Sequence, residues 1–351
     1  MSRRTYQWLA LGLVPLIAVL AVIGTAGAAP KGGLTVDLKV AQSDFRASQD
    51  VLVTVTLTNR GKQPARILKW FTPADGVDES LFTVTRDGQP VAYTGAHVKR
   101  PAATSGDYLQ LEPGASVSNV VDLGGLYDFS GTGRYAITYN VASYNLFGTA
   151  SVSKDSLASN TITLKAAGRA GGKPPPVQPP GPGKTAFSSC WAAQISALGT
   201  ARTNAKAYAA NAVSYLSANK QGPRYTTWFG VFASSRYTTV TSHFNAISFA
   251  MTNAGITFDC KSTQKVYAYV YPNQPYTIYL GAVYWTAPAL GTDSQAGTLI
   301  HEMSHFDVVA GTDDVVYGQA GAKSLAISDP AKAITNADSH EYFAENTPAQ
   351  N

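Results

Sequence analysis

The stretch Gly171-Gly-Lys-Pro-Pro-Pro-Val-Gln-Pro-Pro-Gly-Pro-Gly183 constrains the fold more than any other feature of this chain. Proline lacks a backbone donor and glycine has no side chain to bury, so the segment cannot enter a core. It serves as a semi-rigid, polyproline-type spacer over residues 169–184. A chain of 351 residues divided at this point leaves two halves, each long enough for a core of its own.

The first half reads as β-structure. Residues 34–40 and 51–57 alternate apolar and polar with period two, and Asn59-Arg-Gly61 is a turn. Further strands are expected at 81–85, 117–123, 135–139 and 161–164. Short strands parted by Gly, Pro, Asn and Asp predict an immunoglobulin-like sandwich over 34–168. No catalytic cluster is visible in it, and its single histidine, His97, reads as incidental. Ahead of it, Arg3 and Arg4 precede an apolar run over 8–22 and then Ala26-Gly-Ala-Ala29, the pattern of an export signal over 1–29. The run is short for a membrane anchor and lacks a stop-transfer flank. Ser2-Arg3-Arg4 hints at the twin-arginine route. A secreted protein without stable membrane association is therefore expected.

The formal net charge of +5 hides an asymmetry: from Thr185 onward there are nine Lys/Arg against ten Asp/Glu, and from Asp259 onward four against ten. A nucleic-acid surface needs clustered bases, so that class of partner is excluded for the second half, which should instead attract cationic substrates. The two cysteines, Cys190 and Cys260, both lie there. In an exported chain a lone pair reads as a disulfide.

Residues 190–219 are Ala-rich with helical spacing, with Trp191, Ile195, Leu198, Ala205, Tyr208, Ala212 and Leu216 expected inward. A second helix is expected over 236–253, strands over 266–271 and 277–285, and a third helix over 294–310 with Asp293 as N-cap and Gly311 as stop. Helices with a small sheet make an α+β domain over 185–351.

On that third helix stands His301-Glu302-Met303-Ser304-His305. Histidines four apart share a helix face and can bind one ion, while Glu302 lies close enough to take a proton from water. Zinc lowers the pKa of bound water towards about 7, which makes the motif useful at neutral pH. Leu299, Ile300, Met303 and Phe306 give the helix the apolar spacing of a buried element. A catalytic zinc wants a third protein ligand and an open position. Residue 311 is glycine, so a third histidine there is excluded. The downstream acids Glu341 and Glu345, and the adjacent pair Asp313 and Asp314, remain open by spacing alone.

His301-Glu-x-x-His305 followed by Gly311-Thr-x-Asp314-x-x-Tyr317-Gly318 resembles the aspzincins, the deuterolysin family of metalloendopeptidases. Within them, 185–351 is similar to the peptidyl-lysine metalloendopeptidases. Gly291-Thr-Asp-Ser-Gln-Ala-Gly-Thr-Leu-Ile-His-Glu, Arg224-Tyr-Thr-Thr-Trp-Phe-Gly230 and Asn336-Ala-Asp-Ser-His-Glu-Tyr-Phe-Ala-Glu-Asn346 carry that likeness. The resemblance implies one Zn2+ held by His301, His305 and Asp314, Glu302 as general base, and Tyr317 as donor to the oxyanion. It implies that Asp338 and Glu341 line a pocket for the lysine following the cut bond, and that Cys190–Cys260 is a family disulfide. A second disulfide of relatives is missing, since Gly281 and its neighbours carry no thiol. On residues alone, Asp338-x-x-Glu341 reads equally well as a helix capping box. His340 reads as exposed or packed, not as a ligand. The resemblance implies that the first half is a propeptide, and Lys184 points to self-cleavage at Gly183–Lys184; the alternative is that the sandwich stays attached as a binding module. The expectation is a secreted, monomeric zinc endopeptidase acting on proteins at Xaa–Lys. The rivals are a protease of broader specificity and a non-catalytic binding protein with a vestigial site.

Overall fold

The computed structural model describes residues 33–46, 49–74, 76–148, 154–168, 182–218 and 221–350. The expected signal peptide and most of the spacer (169–181) lie outside the described residues. No helix among them is long and apolar enough to cross a membrane.

The first half is β-rich. Its strands are β1 (Leu34–Val40), β2 (Asp44–Phe45), β3 (Leu52–Asn59), β4 (Ala65–Leu68), β5 (Phe82–Arg86), β6 (Gln89–Pro90), β7 (His97–Lys99), β8 (Tyr108–Leu111), β9 (Ser116–Asp122), β10 (Gly133–Tyr144) and β11 (Lys154–Ala166). Seven of them run in the order β6-β5-β10-β11-β1-β3-β9, with β2 added against β11 and β4 pairing β8 separately. The period-two residues behave as alternation requires. Leu34, Val36 and Leu38, Val53, Val55 and Leu57, and Tyr135, Ile137 and Tyr139 all enter one core.

The second half has its own core. It contains β12 (Thr185–Ser188), α1 (Ala192–Ser217), α2 (Pro223–Phe229), α3 (Ser234–Asn253), β13 (Ile256–Asp259), β14 (Ala268–Val270), β15 (Thr277–Leu280), α4 (Gln295–His305), α5 (Gly318–Ser328), α6 (Pro330–Ala333) and α7 (Ala337–Glu345). On α1 the buried stripe is Leu198, Ala201, Ala205, Ala209, Ala212 and Leu216, at spacings of three and four. Trp191 and Ile195 were expected on that stripe but are 73% and 37% exposed, because the first turn runs past the core. Cys190, just ahead of α1, is bonded to Cys260, just after β13. This ties the start of the main helix to the sheet.

The sheet of this half crosses the boundary between the halves. Its order is β12-β13-β15-β14-β7, so its edge is a strand from the first half. β7 lies antiparallel to β14, with Lys99 opposite Ala268, Val98 opposite Tyr269 and His97 opposite Val270. An extended segment added to an open sheet edge is β-augmentation, a mode in which proteins also hold peptides.

Candidate metal centre and the pocket beside it

The helix α4 starts at Gln295 with Ser294 as N-cap, its hydroxyl accepting from the Gly297 amide at 2.9 Å. Asp293, expected as the cap, adopts a positive φ of 52° and points elsewhere. Every residue from Ala296 to His305 is buried. Gly297 is needed where α7 crosses: a Cβ there would lie 2.0 Å from Glu345 Oε1. The helix was expected to continue to 310 but leaves helical geometry at Phe306. The chain then doubles back, so that the Thr312 amide donates to the Ser304 carbonyl at 3.1 Å and the Thr312 hydroxyl meets Ser304 Oγ at 2.6 Å.

That fold-back places the residues after the helix. His305 Nδ1 lies 2.7 Å from the Thr312 carbonyl, a contact that calls for the proton on Nδ1 and leaves Nε2 bare. The loop is held by Asn336, whose Oδ1 accepts from the amides of Val315 and Val316, both at 3.1 Å. Asp314 Oδ1 consequently sits 3.1 Å from His301 Nε2 and 3.5 Å from His305 Nε2. Its neighbour Asp313 lies beside it on the wall of a cavity that both residues line. Of the acids left open by spacing, Glu341 reaches the other ring nitrogen of His301, and Glu345 accepts from the Ser294 amide and hydroxyl, both at 2.8 Å.

His301 Nε2, His305 Nε2 and Asp314 Oδ1 are buried and have no hydrogen-bond partner among the described residues. Ligands about 2.0–2.1 Å from a tetrahedral ion stand roughly 3.3 Å apart, and Asp314 Oδ1 keeps about that spacing, 3.1 and 3.5 Å, from the two ring nitrogens. The charge balance agrees. Burial opposes a charged ring at His301, yet Asp314, with Asp338 and Glu341, outweighs it and lifts the pKa well above its ordinary value. Burial likewise resists ionising Asp314, but His305 and His301 hold its carboxyl well below the usual range. The cage calls for a cation. Behind His301, Asp338 Oδ1 lies 2.9 Å from Nδ1, the arrangement that orients a ligating imidazole. Glu302 is buried with both oxygens unpartnered, and burial raises its carboxyl to about 7.

Asp338 and Glu341 do not form a capping box. Asn336 is the N-cap of α7, and Asp338 accepts from the Gly318 amide at 2.6 Å. Between these carboxylates lies a lysine. Lys99 Nζ stands 2.6 Å from Glu341, 3.3 Å from Asp293 and 3.7 Å from Asp338, with the Tyr267 ring 4.9 Å below it. Lys99 is completely buried. Burial disfavours its charge, but Glu341, Asp338 and Asp293 outweigh this and hold its pKa well above the ordinary value. One residue before it, the Val98 carbonyl accepts from the Tyr317 hydroxyl at 2.9 Å, and the Val98 amide donates to Asp314 Oδ2 at 2.9 Å. The Tyr317 hydroxyl also lies 3.0 Å from Glu79 Oε1, which competes with the Val98 carbonyl for its single proton. Burial, then the charges of Asp314 and Glu79, keep its phenol protonated.

His97 is not incidental. Its ring lies 4.7 Å from that of His305, and burial together with His305 pushes its pKa down to about 3, leaving it neutral. His340 is packed against Phe229 and Phe244, with its Nε2 3.0 Å from His243 Nδ1. The contributions of His97, Lys99, Glu79 and Asp293 were missed from sequence. The first three reach the site across the spacer, and only the short alternation at 97–99 could have hinted at a strand.

A helix bearing two converging imidazoles, a fold-back carboxylate and a dry glutamate define the class: a metallopeptidase centre. A model of the family described as lysine-specific metallo-endopeptidase matches residues 214–345. An extracellular protease of Aeromonas hydrophila is 45% identical over 314 residues, 87% of this chain and 90% of that one. A peptidyl-Lys metalloendopeptidase of Grifola frondosa is 37% identical over 320 residues, 85% of this chain and 88% of that one. A solved zinc peptidase from Grifola frondosa aligns at 50% identity and a TM-score of 0.44, covering 46% of this chain and 100% of that one. The chain belongs to the lysine-specific metallo-endopeptidase family. It is a metalloendopeptidase, with protein substrates and a metal ion implied.

Proposed function

We propose that this chain is the secreted precursor of a zinc endopeptidase that hydrolyses proteins on the amino side of lysine. One observation supports the specificity most: Lys99 fills a pocket of three carboxylates, and the carbonyl of the preceding residue accepts from Tyr317. A substrate lysine bound the same way would present its preceding carbonyl to that phenol. Three acceptors suit the three N–H donors of an ammonium, whereas a planar guanidinium needs a different arrangement of acceptors. The reading takes His301, His305 and Asp314 as ligands of one zinc. Bound there, zinc supplies Lewis-acid chemistry.

The chain's own groups would then act as follows. Glu341 and Asp293 anchor the lysine ammonium, and Asp338 divides its oxygens between His301 Nδ1, the Gly318 amide and that pocket. Tyr317 donates to the carbonyl oxygen as negative charge develops on it. Glu302, with a pKa near neutrality, takes a proton from the attacking water and returns it to the departing lysine nitrogen. We further read residues 1–29 as the signal peptide, 34–168 as an immunoglobulin-like propeptide domain, 169–184 as the spacer where it is severed, and 185–351 as a monomeric peptidase without membrane or nucleic-acid partners.

Digestion of an unstructured protein by the severed enzyme, with peptides sequenced by mass spectrometry, tests the reading. New peptides should begin with lysine. Cuts indifferent to the following residue would refute it.

A further inference from the structure

Side chains two apart on a strand share a face. On β7, therefore, the residue on the same side as Lys99 is His97. While Lys99 enters the carboxylate pocket, the ring nitrogen of His97 comes within 4.8 Å of the ligating atoms of both His305 and Asp314. No other His, Cys, Asp or Glu of the first half is grouped with possible metal ligands among the described residues. The ring is buried, neutral and packed against the rings of Tyr93 and His305. His97 and Asp314 also line a cavity of about 230 Å³ with Glu79, Tyr93 and Asp313. At about 30 Å³ each, that is room for several waters next to the centre.

A catalytic zinc site keeps one position for water, and a site closed by four protein ligands is a structural one. We propose that His97 is a fourth ligand of the metal in the precursor, so that the first half silences the enzyme by turning an open metal site into a closed one. This rests on the zinc site proposed above. It explains how the Val98–Lys99 bond, lying across the site in the attitude expected of a substrate, can persist there. Lys99 fills the specificity pocket and His97 takes the place that water needs. Severing the spacer and losing β7 would restore the open position without any change in the other three ligands.

The test uses the zinc-loaded full-length chain carrying Glu302→Gln to prevent self-cleavage. X-ray absorption should count three imidazoles on the metal in this parent and two after His97→Ala or His97→Phe. Zinc affinity, measured by chelator competition, should weaken at least about tenfold in both. His97→Phe keeps a ring against His305 and Tyr93, so it separates ligation from packing. Two imidazoles in the parent, or an unchanged affinity in His97→Phe, would overturn the proposal. A His301→Ala control reports on the underlying site: stoichiometric zinc retained by that variant would refute the site itself, not only the role of His97.

Discussion

Replacing Lys99 by Met keeps most of the buried chain and removes only the ammonium. Glu341, whose side chain is fully buried and 2.6 Å from Nζ, then loses its nearest charge partner, while Asp338 keeps its contacts with His301 Nδ1 and the Gly318 amide. Breaking a buried pair by removing one partner costs about 3–5 kcal/mol. Asp293 adds little, since its side chain is 36% exposed and such pairs contribute about 1 kcal/mol or less. Glu341 can escape only by taking up a proton or by letting the first half swing away. Opening should therefore become easier by roughly two to three and a half powers of ten. Hydrogen exchange on the Glu302→Gln precursor reads this directly. The Val98 amide donates to Asp314 and the Tyr267 amide to the Lys99 carbonyl, so both are protected only while β7 is docked. Protection at both should fall by that factor in Lys99→Met while amides in α1 stay unchanged. Protection within threefold of the parent would mean that the ion pairs do not hold the halves together.

Four further outcomes are expected. Glu302→Gln in the severed enzyme should lower kcat by about 10²–10⁴ with little change in KM, measured on a lysine peptide, because a general base acts in the transition state. A chelator should abolish cleavage and lower the melting temperature, with zinc restoring both, since ligand binding to the folded state adds to its stability. Replacing both Cys190 and Cys260 by Ala should cost about 4 kcal/mol in chemical denaturation, the chain-entropy value for a bridge spanning 70 residues. Burial raises Glu79 from 4.5 to about 7, so the folded chain holds an extra proton between those values; the stability this brings is complete below pH 4.5 and is lost as pH rises through 7. Over that window the wild type should lose about 3 kcal/mol relative to Glu79→Gln, and parallel melting curves would contradict it.

The legible parts of this molecule are those whose geometry is fixed within a few residues. Strand alternation located β1, β3, β5, β9 and part of β10, and the spacing of His301 and His305 put two imidazoles on one face before any fold was known. The end of α4 was not legible, because Gly311 looks like a local stop while the true one is set by Thr312 bonding back to Ser304 and His305. Spacing could not choose between Asp313 and Asp314 for a related reason: the choice depends on Asn336, more than twenty residues on, gripping the loop from the far side.

The role of β7 lies at the other extreme. His97, Val98 and Lys99 form three residues of strand with no partner nearby in sequence, and their meaning comes from β14, across the proline-rich spacer. A lysine at full burial would normally count against a strand in that place. Here it is tolerated because three carboxylates from the other half already demand a cation. That demand exists whether or not β7 is present. An enzyme selective for lysine must keep such a pocket charged and unfilled between substrates, at some cost in stability, and a precursor that fills it with its own lysine removes that cost until release. On the proposed function, the chemistry that recognises the substrate therefore also provides a handle for holding the enzyme shut, and the acidic balance after residue 259, with Asp338 and Glu341 within it, was its trace in the sequence.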